Sequence, residues 1–189
     1  MLGKARRKTG KTLARRVTEA MQTLAMQGGR FDVALQPCPP GPHGTESVAF
    51  LVAGHAGTTA RPLAKVASGG ELARIALALS VIASQAARVP TLIFDEVDTG
   101  IGGAVADVVG GLLRQLGQRH QVLCVTHLPQ VAARGMHHYE VSKTTSGAGT
   151  VSNIVSLDDA GRVNEVARML GGLKITETTR KHAREMLAN

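Results

Sequence analysis

The sequence predicts an α/β fold, a mainly parallel sheet flanked by helices. Three observations carry that expectation. Leu92–Phe94 and Val122–Val125 are short unbroken apolar runs, the mark of strands shielded on both faces. Between them, Val105–Leu116 repeats its apolar residues at helical spacing, so residues 91–125 read as strand–helix–strand with the strands parallel. Ahead of the first strand, Ser68-Gly69-Gly70-Glu71 opens a long apolar helix, Gly69 to Ala87, with Leu72, Ile75, Ala76, Leu79, Ile82 and Ala83 on one side.

The other elements follow in order. Residues 4–27 read as one helix, because Leu13, Val17, Ala20, Met21, Leu24 and Ala25 recur at its period, and Gly28-Gly29 stops it. Phe31–Leu35 alternates like a strand, and Glu46–Val52 is a second strand that can pair with it as a hairpin. Pro37–Gly44 and Gly54–Pro62 are rich in breakers and read as loops. Leu128–Ala133 is a short helix. Tyr139–Lys143 and Thr150–Leu157 read as paired strands across Ser146-Gly147-Ala148-Gly149, and helices at Glu165–Leu170 and Thr176–Leu187 close the chain. No internal repeat is found.

Composition narrows the function. The chain has 189 residues, 43% of them hydrophobic, enough for one domain with a real core or at most two small ones. Its aromatic residues are only Phe31, Phe50, Phe94 and Tyr139, too few for a base-stacking platform. The net charge of +8 is uneven. Residues 1–16 hold Lys4, Arg6, Arg7, Lys8, Lys11, Arg15 and Arg16 and no acid, while the remaining residues are nearly balanced. The basic segment can bind DNA phosphates or simply be a solvated helix face. Cys38 and Cys124 show no CxxC or Cys/His ligand spacing, so neither a zinc site nor a disulfide framework is expected. No apolar stretch is long enough to span a membrane, and no secretory leader is evident. A cytoplasmic protein is the expectation.

Two motifs carry the chemistry. Ser68 at a helix N-cap with Glu71 three residues on is a capping box. Two glycines in a first turn weaken the helix by about 1 kcal/mol each relative to alanine. A chain tolerates that where something must approach the backbone, and bare N–H groups at a positive helix end suit a phosphate. Thr91-Leu92-Ile93-Phe94-Asp95-Glu96 ends a strand in two acids. Ligands of open α/β sheets bind beyond the carboxyl ends of strands, where Asp95 can hold Mg²⁺ and Glu96 can orient or deprotonate a water. His127 follows the second apolar strand and is expected on the same sheet edge, within reach of a γ-phosphate. His137 and His138 read as surface residues. A phosphate loop needs Gly-x-x-x-x-Gly-Lys-[Ser/Thr] between strand and helix. Ala5 to Thr12 offers only a degraded version, with Lys11 and Thr12 in place, Ala5 for the first glycine and no strand before it.

With these motifs in hand, the chain resembles the C-terminal part of the RecN family, bacterial DNA-repair ATPases related to SMC proteins and ABC-type ATPases. VASGGELARIALALS (66–80), TLIFDEVDTGIGGAVA (91–106), VLCVTHLPQVAARG (122–135) and EVARMLGG (165–172) carry the resemblance, which runs from about residue 8 to the end. It implies that residues 29–189 are the C-terminal lobe of an ATPase head, and that residues 1–28 are the end of a returning coiled-coil arm. Ala67, Ser68, Gly69, Gly70 and Glu71 would be the signature motif, which contacts ATP on an opposing head. Asp95 would be the Walker B acid for Mg²⁺, Glu96 the catalytic base, Asp98 a D-loop residue and His127 the switch histidine. The implied partners are an N-terminal half of the head, a second head and DNA.

The sequence also departs from the family pattern. Relatives carry a Walker A loop and a long coiled coil ahead of this region, and neither is present. Ala67 replaces the leucine of ABC transporters, although alanine is usual in RecN-like proteins, and Ala73 stands where relatives often have serine. The expectation is a fragment or truncated product, inactive alone. Two other readings stay open: a self-sufficient small nucleotidase using Lys11 and Thr12, and a non-enzymatic DNA-binding module using residues 1–16.

Overall fold

A computed structural model describes residues 1–66, 68–83, 89–146, 149–172 and 174–188. Ala67, the end of the predicted helix beyond Ala83, and Gly147-Ala148 of the predicted turn lie outside the described residues. The chain forms two compact units, Met1–Val125 and Thr126–Asn189.

The first unit begins with helix α1 (Leu2–Thr23), which buries Val17 and Met21 against a strand pair. Strand β1 (Arg30–Gly41) and strand β2 (Gly44–Ala53) form an antiparallel hairpin, with a two-residue β3 (Arg61–Pro62) on its far edge. The turn from α1 into β1 is tied by side chains. Thr18 Oγ1 accepts from the Phe31 amide at 3.0 Å, and Gln22 Nε2 donates to Gly29 O at 3.0 Å. Phe31 is buried, and its ring meets Phe50 at 5.4 Å between centroids.

The hairpin corrects a sequence expectation. The proline-rich stretch predicted as a loop stays extended as far as Gly41. β1 is an edge strand, where a residue without an N–H costs no ladder bond on the open side. The cost appears instead as a register break between Pro37 and Gly41.

Helix α2 (Gly69–Ala83) packs on α1 and on helix α3 (Gly103–Gly117). Strands β4 (Thr91–Phe94) and β5 (Gln121–Cys124) pair in parallel, with Phe94 opposite Cys124. This strand–helix–strand unit is the one expected. Its burial differs from expectation. Phe94 is buried, but Ile93 is 71% exposed and its partner Leu123 is 45% exposed. Alternate side chains on a strand point to opposite faces, and α3 packs on β5. The face that carries Ile93 and Leu123 is open.

The second unit holds helix α4 (Pro129–Ala133), the hairpin β6 (Tyr139–Ser146) and β7 (Gly149–Ser156), and helices α5 (Asp159–Gly171) and α6 (Glu177–Ala188). Its core is small: Val166, Ala167 and Ala183, with Val163, Leu170, Ile175, Met186 and Leu187 around them. Asp158 caps α5 by accepting from the Gly161 amide at 2.7 Å. Gly172 ends that helix at φ 62°, a left-handed conformation suited to glycine. His138, expected at the surface, is in part buried, with its Nδ1 enclosed.

Candidate functional site

The start of α2 and the loop after β4 come together inside the first unit. Ser68 caps α2 as its sequence predicted, with Oγ accepting from the Glu71 amide at 3.3 Å. The Glu71 carboxylate turns aside, lying against Gly54 and 3.7 Å from His55 Nε2. β4 delivers Asp95 and Glu96 to solvent, and Asp95 Oδ1 accepts from the Glu96 amide at 3.0 Å. Glu96 sits at φ 58°, a left-handed backbone that costs a non-glycine residue about 1 kcal/mol or more. The chain then turns sharply, with the Thr99 amide donating to Glu96 O at 3.1 Å. Val97 is buried completely and pins the loop to the core. Asp98 is also buried, at 2% exposed.

Both glycines of the α2 first turn have close neighbours in this loop. A Cβ on Gly70 would lie 3.0 Å from Thr99 O, and a Cβ on Gly69 would lie 2.6 Å from Glu96 Oε2. So something does approach the helix backbone, as the sequence suggests, and on the Gly70 side it is the chain's own Thr99. The second approach is a carboxylate at the positive end of a helix, a favourable pairing of charge and dipole.

The strand ends also converge on one another. Burial, and then the carboxylates of Asp98 and Asp95, push the Cys124 thiol up to about 12. Among the described residues no three His, Cys, Asp or Glu side chains gather into a metal centre. Mg²⁺ does not need one. It binds through one or two carboxylates, with the rest of its shell from phosphate oxygens and water. Exposed Asp95, with one oxygen committed to Glu96, fits that single-carboxylate part.

Sequence reasoning missed Arg74. It is 5% exposed, and its Nη1 donates to Thr99 O at 2.8 Å. A signal existed: Arg74 sits four residues after Gly70 and four before Ala78, a cation within a buried stripe. His127 is exposed and lies in the second unit. Next to it, Thr126 Oγ1 accepts from the Leu128 amide at 3.1 Å and prepares the start of α4.

The degraded phosphate-loop pattern does not form a loop. Ala5 to Thr12 lies within α1, and Gly10 is buried with its missing Cβ 3.2 Å from Val33 Cγ1. That glycine allows the helix to sit on β1. A nucleotidase built on Lys11 and Thr12 is thereby overturned.

No family model matches the chain. The DNA repair protein RecN of Xylella fastidiosa (strain Temecula1) is 49% identical over 186 residues, which is 97% of this chain and 33% of that protein. RecN of Vibrio cholerae is 46% identical over 188 residues, 98% of this chain and 34% of that protein. The chain matches these RecN sequences over nearly its whole length. It spans about a third of the length of these relatives. Among solved structures, the Smc head domain with coiled coil and joint from Pyrococcus yayanosii superposes with a TM-score of 0.62, covering 84% of the RecN-like chain and 29% of its own, at 24% identity. A structure described for ATP-driven dimerisation and DNA-stimulated activation of SMC ATPases gives a TM-score of 0.56 over 92% of this chain and 100% of its own, at 21% identity. The fold is that of these SMC head domains.

Proposed function

We propose that this chain is the C-terminal lobe of a RecN-type ATPase head that acts in DNA double-strand-break repair. One observation carries the reading. The start of α2, with Ser68, Gly69 and Gly70, is held against the loop that carries Asp95, Glu96 and Asp98, all in a segment that is RecN-like throughout. This supports a phosphate-binding backbone and an acid pair built as one piece. In this reading an N-terminal half of the head supplies the phosphate loop. Two heads then enclose ATP, each contributing residues 67–71 to the nucleotide held by the other.

The residues act as follows. Asp95 would hold Mg²⁺, which when bound neutralises charge on the phosphates. Glu96 orients the attacking water and accepts its proton, a role for a carboxylate within hydrogen-bond reach of that water. Ser68 and Gly69 donate backbone N–H groups from the positive end of α2 to phosphate oxygens of the facing head. Asp98 couples the two sites across the dimer, and His127 is the switch histidine that senses the γ-phosphate. Residues 1–28 form the root of the coiled-coil arm, where exposed Lys4, Lys8, Lys11 and Arg16 suit DNA phosphates. No helix among the described residues is long and apolar enough to cross a membrane.

The test is steady-state ATP hydrolysis by the chain alone, then with the N-terminal half of a RecN relative added, each with Glu96→Gln as the blank. Glu96-dependent turnover only after the addition supports the composite site. Turnover unchanged by Glu96→Gln overturns the assigned base.

A further inference from the structure

We propose that Arg74 is a positioning residue that locks helix α2 to the loop 96–101, so that the glycine turn and the acid pair move as one body; this rests on the ATPase reading above. The guanidinium is 5% exposed and its Nη1 donates to Thr99 O at 2.8 Å, across 25 residues of sequence. That carbonyl also faces Gly70, 3.0 Å from where its Cβ would stand, and Arg74 Nη1 lies 3.1 Å from the same point. Helix, glycine and loop therefore meet at one oxygen.

Packing alone does not call for an arginine here. Ile75, Leu77 and Ala78 around it are buried and apolar, and a methionine would fill similar space without desolvating a charge. Burial does pull this guanidinium below its ordinary value, with Glu71 one turn back opposing the shift. A buried cation kept at that cost is best explained by the bond it makes. The loop it holds is under tension at the left-handed Glu96, and Asp98 is buried within it. The Thr99 amide already bonds back to Glu96 O. Fixing the Thr99 carbonyl therefore fixes the turn from both sides of one peptide neighbourhood, and with it the backbone from which Glu96 projects.

The effect expected is on turnover rather than on nucleotide affinity. Loss of a charged hydrogen bond that orients a catalytic group lowers kcat by about tenfold to a hundredfold and leaves KM within about twofold. The experiment uses this chain assembled with the N-terminal half of a RecN relative. Arg74→Met should lower kcat by that amount, and Arg74→Lys, which restores a donor, should recover most of it. A rise in KM at constant kcat, or Met and Lys variants that behave alike, overturns the proposal. A second measurement needs no variant: amide exchange of Thr99 and Ile101 in the unmodified chain should share the protection of the α2 amides at 75–78. Loop amides that exchange much faster than the helix also overturn it. If the unmodified assembly shows no Glu96-dependent hydrolysis, the ATPase reading fails and the kcat expectation with it, while the exchange result still judges the Arg74 bond separately.

Discussion

The Glu96 carboxylate lies at the N-terminus of helix α2, its Oε2 2.6 Å from the point where a Cβ on Gly69 would stand. The candidate base thus occupies the helix end that reads as an anion site. The pairing of an acid with a helix N-terminus is worth about 0.3–1 kcal/mol, which offsets part of the left-handed strain at Glu96. In the proposed head dimer a phosphate arriving at Gly69 would meet this carboxylate, so engagement of a facing head would require Glu96 to swing away.

Glu96→Gln follows from that geometry. It keeps shape and removes charge. In the assembled heads, hydrolysis should fall by about 10²–10⁴-fold, the range for a lost general base. ATP-induced head association should strengthen, because the amide no longer repels a phosphate at Gly69. Single-turnover hydrolysis and size measurement with and without ATP check both halves. Hydrolysis at the unmodified rate would falsify the assignment.

Gly70 and Gly111 provide a matched pair. An alanine at Gly70 places its Cβ 3.0 Å from the Thr99 carbonyl, a backbone atom that cannot step aside. We expect Gly70→Ala to destabilise the first unit by about 1–3 kcal/mol, the cost of overpacking. Gly111 is an exposed interior residue of α3 with open space around it. Gly111→Ala should stabilise by up to about 1 kcal/mol through helix propensity. Denaturant unfolding of the two variants should shift in opposite directions.

What the sequence could and could not show follows from the range of each interaction. The Ser68 cap and the glycine turn are set by neighbours a few residues apart, and the strands at 91–94 and 121–124 by their own apolar runs and the helix between them; all were legible. The extended prolines of β1 were not, because whether a strand lies at an edge is decided by the whole sheet. The open face at Ile93 and Leu123 was missed for a related reason: an apolar run reports what a strand can bury, not what covers it in this chain. Arg74 and Thr99 meet across 25 residues, and nothing local in either names the other. Gly10 was read as a relic of a phosphate loop, whereas its contact with Val33 gives it a packing role that only the α1–β1 approach reveals.

Cys124 reports on the acids without any nucleotide. With its thiol held up at about 12, only about one molecule in 10⁴ is thiolate at pH 8. Alkylation at that pH should therefore be very slow. Burial is the larger cause, so Asp95→Asn should raise the rate only in part, by removing one of two nearby charges. Labelling of a Cys38→Ser background isolates the signal. An unchanged rate in Asp95→Asn would show that the carboxylate does not act on the thiol.

His138 should make the second unit acid-sensitive. Its imidazole is held below the ordinary 6.5, first by burial and then by the Arg162 cation, against the opposing pull of Glu165 and Glu140. Nearby, Arg162 donates to Gly135 O at 2.5 Å and to Met136 O at 3.2 Å, so the cation is fixed beside the ring. A histidine depressed on folding binds fewer protons in the native state than in the unfolded one. Its contribution is therefore fully present above pH 6.5 and is lost as pH falls from there through the lower native value. Unfolding followed by amide exchange in residues 139–171 should show protection that drops as the pH falls below 6.5. His138→Gln removes the titrating group and should flatten that part of the profile. Arg162→Gln removes the opposing cation and should move the drop to lower amplitude, since the imidazole then titrates closer to its ordinary value. A drop of the same size in wild type and His138→Gln would assign the acid sensitivity to another group.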